Sequence, residues 1–170
     1  MDDPLRLRPV DEDDLPLLYR LTGDPEATGE YAWFGWRDPG EFRRPWMENR
    51  LLGDDGGMLI VAKGSESLGL MNWHKHRIGR VAHYWEVGIA LAPEARGQGY
   101  GTQAHRLLVA YLFAHTVVNR IQATTEAGNV AEQRTLEKAG FTREGVLRGI
   151  GFRDGRWVDG VLYSILRAEA

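Results

Sequence analysis

The residues whose types and spacing best suit chemistry in this chain run from Glu86 to Thr102, in the segment EVGIALAPEARGQGYGT. Glu86 to Leu91 alternates as a strand does, a glycine-rich turn follows, and a helical pattern starts at Gly101. Such a turn brings backbone N–H groups and the positive end of a helix dipole together, which is an anion site suited to phosphate oxygens. The glycines fall at Gly97, Gly99 and Gly101. That spacing is G-x-G-x-G, so it is neither the dinucleotide G-x-G-x-x-G nor a P-loop with G-K-[ST], and a nucleotide-dependent enzyme using ATP or NAD is disfavoured. Upstream in the same strand, Glu86 shares a face with the small residues Gly88 and Ala90, which leave room beside a carboxylate that could act as a base. The alternative for Glu86 is a surface ion pair with an arginine such as Arg80 or Arg148. His74, His83 and Tyr84 are weaker candidates for the same task. His74 and His76 form an H-x-H pair on one strand face, but no third ligand stands at a metal-binding spacing, and no metal is expected.

The elements that must position these groups are legible from periodicity. Leu5–Arg8 reads as a strand and Asp11–Leu21 as a helix with Leu15, Leu18 and Tyr19 on one face. Residues 24–50 are irregular and aromatic, with a helix predicted over Glu41–Leu52. Gly57–Lys63, Ser67–Arg77 and Val81–Leu91 read as an antiparallel meander of the second, third and fourth strands. A long helix follows over Gly101–His115, its apolar stripe carrying Ala104, Leu107, Leu108, Tyr111 and Leu112. Arg120–Glu126 is a fifth strand. Val130–Ala139 is a shorter helix stopped by Gly140 with Phe141 beyond it. Two closing strands flank the hairpin dipeptide Asp154-Gly155.

Composition sets the outer bounds. At 170 residues and 43% hydrophobic content the chain has enough apolar surface for one core, so a single domain over residues 1–170 is expected. No apolar run approaches the ~18 residues a membrane span needs, and the start Met1-Asp2-Asp3-Pro4 is acidic where a signal peptide is basic, so a cytoplasmic protein without a membrane partner is expected. A formal net charge of −3 with interleaved signs gives no basic face for nucleic acid. The absence of cysteine excludes an acyl-cysteine intermediate, so any group transfer is expected within one ternary complex.

Arg96-Gly97-Gln98-Gly99-Tyr100-Gly101 resembles the [QR]-x-x-G-x-[GA] acetyl-coenzyme A motif of the GCN5-related N-acetyltransferases (GNAT superfamily). Asn129 followed by Leu136-Glu137-Lys138-Ala139-Gly140-Phe141 resembles that family's second motif. Gly145-Val146-Leu147-Arg148, with Asp159 and Tyr163 in the closing hairpin, is similar to the RimJ/RimL-like branch. The resemblance implies an α/β (α+β) GNAT fold: a bent, mostly antiparallel mixed sheet of about seven strands, about four flanking helices, and splayed fourth and fifth strands. It implies acetyl-coenzyme A as cosubstrate, its pantetheine adding to the fourth strand at Ile89 and Leu91 and held by Asn129. Gln98, Gly99, Tyr100, Gly101 and Thr102 would wrap the pyrophosphate, and Arg96 and Gly97 would also bind the coenzyme.

The implied reaction is transfer of acetyl to a primary amine, either a protein N-terminus or a small molecule such as an antibiotic or amino sugar. A lysine-like ammonium has a pKa of about 10.4 and an α-ammonium about 7.7 to 8.0, so a base is useful, and Glu86 also stands where relatives often carry glutamate. A strand N–H near Ile89 to Leu91 would stabilise the oxyanion. For the leaving thiolate many relatives place Tyr seven residues after the asparagine, and RimJ/RimL relatives Ser three residues after it. This chain has Leu136 and Glu132 there. Either Glu132 protonates the thiolate or it leaves unaided, and Asn129 with Glu132 also spells a capping box. Tyr31, Trp33, Phe34 and Trp36 stand where the family builds one acceptor wall, with His74 and Tyr84 opposite; the other reading is a cover over one end of the sheet. A non-catalytic acyl-coenzyme A binding module is the alternative function, and the hydrophobic closing strands could pair two copies about a two-fold axis.

Overall fold

The computed structural model describes residues 3–170, so the first two residues of the acidic start lie outside the described residues. Eight strands form one sheet: β1 (Leu5–Arg8), β2 (Leu52–Gly53), β3 (Gly56–Lys63), β4 (Glu66–Ile78), β5 (Ala82–Leu91), β6 (Arg120–Glu126), β7 (Thr142–Arg153) and β8 (Arg156–Leu166). Five α-helices accompany them: α1 (Leu15–Gly23), α2 (Pro25–Thr28), α3 (Arg43–Asn49), α4 (Tyr100–His115) and α5 (Val130–Ala139). The strand and helix beyond those expected are both short: two-residue β2 beside β3, and four-residue α2, which Asp24 caps through the N–H of Glu26. The strand expected as the fourth is therefore β5.

The order across the sheet is β1-β3-β4-β5-β6-β8-β7, with β2 on the side of β3. Every pairing is antiparallel except that of β5 with β6, and this one parallel pair is held only at Trp85↔Ile121 and Glu86↔Gln122. Beyond Glu86 the two strands part, β5 staying with β4 to Leu91 and β6 with β8 to Glu126. The edge of β5 from Val87 to Leu91 is thus unpaired on the β6 side while β4 pairs it throughout on the other. The expected splay is present.

Side-chain alternation divides the sheet. Trp85 and Val87 go to the buried face under α4, where the Trp85 indole N–H donates to Thr116 Oγ1 at 3.0 Å. Ala104, Leu108 and Leu112 of α4 are buried against it, as the helical spacing predicts. Fully burying one leucine contributes roughly 1.5–3 kcal/mol, so this stripe fixes where the first turn of α4 sits relative to β5. On the other face α1 covers β4 with Leu15, Leu18 and Leu21.

Two boundaries differ from expectation for identifiable reasons. The helix expected from Asp11 begins as a 3-10 turn (Glu12–Asp14), since the Asp14 carboxylate is drawn onto the Arg8 guanidinium and the Asp11 N–H. The helix expected over Glu41–Leu52 stops at Asn49, where Arg50 and Leu51 adopt left-handed φ values of 58° and 60° and the Arg50 guanidinium stacks 4.0 Å over Trp46. The Asp154-Gly155 hairpin forms as expected, with φ of 51° and 75°. No helix among the described residues is long and apolar enough to cross a membrane.

Candidate active site

The glycine turn leaves β5 through Pro93–Ala95, passes Gly97 (φ 74°) and Gly99 (φ 81°), and enters α4. A Cβ at either glycine would meet nothing within 4 Å, so their requirement is conformational, and both face open space. Gly101 differs: its Cβ would come within 3.2 Å of Thr135 on α5, so it allows the two helices to approach closely. Gly99 is the N-cap of α4 and supplies no side chain, nor is there an acidic residue in the first turn. The leading amides of a sixteen-residue helix are thus left uncapped at an exposed turn. Beside them Lys63, Gln98, Tyr100 and Gln103 line a polar cavity of about 330 Å³. A larger apolar groove of about 570 Å³ lies at the far end of α4, around Phe113 and Ile165, and holds none of the candidate groups.

The turn is braced from beneath. Arg96 donates through Nε to the Leu91 carbonyl at 3.0 Å and through its guanidinium to the carbonyls of Ala27 and Thr28. Arg20 holds Glu94 with two bonds of 2.8 and 3.1 Å, and its guanidinium keeps that carboxyl at about 2. Gln98 donates to the Glu94 carbonyl at 2.8 Å. Arg96, expected to bind the coenzyme, has its guanidinium on these backbone carbonyls and ties the end of β5 to α2. It also engages the Leu91 carbonyl, one of the groups expected to meet the pantetheine.

Glu86 alternates with Trp85 and Val87 and so lies on the face away from α4, with its side chain 29% exposed. Its Oε2 is 3.0 Å from His76 Nε2, and the His76 ring stacks on Tyr84 at 5.2 Å and 10°. His74 is directly opposite Glu86 across β4–β5, but it is His76, opposite Tyr84, that reaches the carboxylate, diagonally. The residue read from the sequence as half of an H-x-H pair is thus the partner of the candidate base. Arg120 approaches Tyr84 at 6.0 Å and is itself held by Glu144. Gly88 has a second reason to be glycine, since a Cβ there would sit 2.8 Å from the Asn72 side-chain oxygen. Among the described residues no group of three or more His, Asp or Glu could hold a metal ion.

The aromatic segment divides. Tyr31 packs 3.3 Å from the Cβ position of Gly128, one residue before Asn129, and over the Arg153 guanidinium, which Glu126 holds with two bonds of 2.8 Å. It therefore borders the start of α5. Trp33 meets Trp36 edge-on at 5.1 Å, while Trp36 and Phe34 are 83% and 60% exposed. Neither exposed ring is a cover over the core.

At the start of α5 only half of the expected capping box exists. Asn129 Oδ1 accepts from the Glu132 N–H at 3.2 Å, but the Asn129 N–H goes to the Glu126 carbonyl, and the Glu132 carboxyl is turned instead toward His105. His105 was not among the residues singled out in the sequence. Its position among the leucines of the α4 stripe carried a signal, a titratable group at a core position.

Residues 4–142 match the acetyltransferase (GNAT) domain family. The chain belongs to that family. The GNAT enzyme is accordingly an N-acetyltransferase with acetyl-coenzyme A as cosubstrate. Over 171 residues it is 28% identical to the N-acetyltransferase p20 of Bacillus licheniformis, covering 97% of this chain and 94% of that one. The spermidine N-acetyltransferase of Vibrio cholerae, solved with CoA and spermine, shares the fold at a TM-score of 0.83 and 22% identity, covering 97% and 96% of the two chains. The ribosomal L7/L12 α-N-protein acetyltransferase RimL, solved with coenzyme A, superposes at a TM-score of 0.79 with 20% identity and 98% coverage of each. The residues present suit the coenzyme: an unpaired strand edge can pair an amide-rich arm, and an uncapped helix start on two left-handed glycines can meet a pyrophosphate.

Proposed function

We propose that this enzyme transfers acetyl directly to a primary amine, with Glu86 as the base that collects the amine proton. The observation that carries the reading is the Glu86–His76 contact of 3.0 Å, placed where β5 and β6 begin to part. A carboxylate there attracts an ammonium group, orients it, and takes its proton; His76 steadies that carboxylate and offers the proton a route along the open face to solvent. Acetyl-coenzyme A supplies the thioester that is attacked and the thiol that leaves. Ile89 and Leu91 with Asn129 would hold its pantetheine arm, and Gly97 to Thr102 its pyrophosphate. Phe34, Trp36 and His74 on open surface, with the half-buried Tyr84, would meet the acceptor, and aromatic rings beside a carboxylate favour a cationic amine.

The test pairs two variants with an amine panel of a polyamine, an amino sugar and a short peptide with a free N-terminus. Acetyl-coenzyme A binding is followed by calorimetry, and turnover by thiol release. Glu86→Gln is expected to keep the binding and lose about 10²–10⁴-fold in kcat/KM. Gly99→Trp, which sets a ring over the uncapped amides, is expected to lose the binding. Full activity in Glu86→Gln overturns the assignment of the base. The amine that is turned over identifies the acceptor class.

A further inference from the structure

Behind the glycine turn, two titratable groups meet across the contact between α4 and α5. His105 is 1% exposed, and its Nδ1 lies 3.0 Å from the Gly101 carbonyl. A carbonyl only accepts, so Nδ1 carries a proton, and in the neutral ring Nε2 then presents a lone pair. Nε2 has no hydrogen-bond partner, which is uncommon for a buried polar atom and calls for a donor. Glu132 Oε1 lies 3.5 Å away. A carboxylate has nothing to donate, whereas a carboxylic acid has one O–H, and a slight turn of the side chain would bring it onto Nε2. The contact would also fit an imidazolium beside a carboxylate, but burial of both groups penalises charge and selects a neutral Glu132 beside a neutral His105.

The surroundings agree. Burial lifts the Glu132 carboxyl from 4.5 to about 7, and burial lowers His105 to about 4 against the opposing pull of the Gly101 carbonyl. The neighbouring charged groups on both helices are otherwise engaged: Arg106 of α4 donates to the Lys138 carbonyl, and Glu137 of α5 accepts from the Tyr163 hydroxyl at 3.0 Å. Phe141 closes the pocket, its ring edge-on to His105 at 5.9 Å. On the side toward β5, Thr135 and Ile89 both approach Gly101. Glu132, one turn before Thr135 at the start of α5, keeps 23% of its side chain exposed.

We propose that Glu132 is the proton donor to the sulfur that leaves when acetyl is transferred, and that His105, through Nε2, is the positioning residue that holds this proton on the carboxyl. This rests on the direct-transfer reading above. The C–S bond of the thioester breaks and the C–N bond of the amide forms. The ammonium proton has first passed through Glu86 to solvent; as the neutral amine attacks, its second proton passes to Glu86, and the sulfur electron pair takes the Glu132 proton, leaving free thiol and a Glu132 carboxylate. Solvent then removes the proton from Glu86 and restores one to Glu132. With that slight turn the acid hydrogen is held by the Nε2 lone pair; a sulfur bearing full negative charge is the stronger acceptor and draws it away. A donor poised near neutrality both holds its proton and gives it up readily.

The decisive experiment reads the pair without coenzyme or amine. In protein labelled with ¹³C and ¹⁵N, the Glu132 carboxyl carbon and His105 Nε2 are followed from pH 5 to 9. One shared step near pH 7 is expected, with His105 remaining uncharged as Nε2 loses its donor, and no Nε2 step in Glu132→Leu. Ionisation of Glu132 near 4.5, or an Nε2 signal that ignores Glu132, overturns the proposal. Kinetics then separate it from the parent reading. Glu132→Gln should lose about 10²-fold in kcat with an unchanged acetyl-coenzyme A KM. His105→Leu should lose about tenfold, and His105→Gln, whose amide oxygen can stand at the Nε2 position, should restore most of it. If Glu132→Gln stays within twofold of wild type while Glu86→Gln is inactive, the donor is refuted and the base stands.

Discussion

Glu132→Gln should make the folded protein less sensitive to alkali, by an amount that follows from burial. The folded state holds the Glu132 proton up to about pH 7, whereas the unfolded chain releases it near 4.5. The native state therefore binds more protons over that window, and stability falls as pH rises through it. At roughly 1.4 kcal/mol per pH unit the loss is about 3 kcal/mol, complete above pH 7 and absent below 4.5. His105 works in the other direction, since its folded value of about 4 makes stability rise with pH up to its unfolded value near 6.5. The two slopes offset one another in the wild type below about pH 6.5, so a stability curve of the wild type alone hides both. The difference between wild type and Glu132→Gln isolates the first, because glutamine keeps the shape and can donate to His105 Nε2. Urea unfolding at pH 5 and pH 8.5 should show near-equal midpoints at the lower pH. At the higher pH the variant should unfold on the order of 1 M later, given a slope of about 1–3 kcal/mol per molar. A pH-independent difference between the two proteins would refute the claim that Glu132 folds as the neutral acid.

Two further outcomes test the frame that holds the site. Asp14 is 5% exposed on its side chain; burial alone would raise its carboxyl, but the Arg8 guanidinium with the Asp11 N–H and Ser67 hydroxyl outweighs that and holds it below the usual range. Asp14→Asn should cost about 3 kcal/mol in urea unfolding at pH 7 by leaving Arg8 only its longer contact with the exposed Asp11 at 3.4 Å. The variant should also lose the part of the acid transition below about pH 4, where the wild type gives up this stabilisation as the carboxyl is protonated. Arg96→Ala removes the bonds to the Leu91, Ala27 and Thr28 carbonyls, and should lower stability by about 1–2 kcal/mol while weakening acetyl-coenzyme A binding less than Gly99→Trp does. Equal losses of binding in the two variants would show that Arg96 contacts the coenzyme directly.

What the residues determined by themselves is the local grammar of the site. Alternation from Glu86 to Leu91, glycines that only a left-handed turn requires at Gly97 and Gly99, and the apolar stripe of α4 are short-range signals, and all appear at the expected places. The Asp154-Gly155 turn and the Gly140 stop are local in the same sense. Pairings across distance were decided only by tertiary structure. His74 and His76 differ by two residues on one face of β4, and the register with β5 together with side-chain reach put His76 on Glu86. The Asn129–Glu132 spacing spells a capping box in sequence, yet the Glu126 carbonyl took the Asn129 N–H and left the Glu132 carboxyl to a histidine 27 positions earlier. Arg96 fits a phosphate motif by its place in the chain, but its reach to the α2 carbonyls depends on how α1 and α2 fold back over the sheet. The physical reason is common to all three. Backbone conformation is set by neighbours within a turn or two, whereas the partner of a long polar side chain is whichever group packing brings within about 3 Å of it.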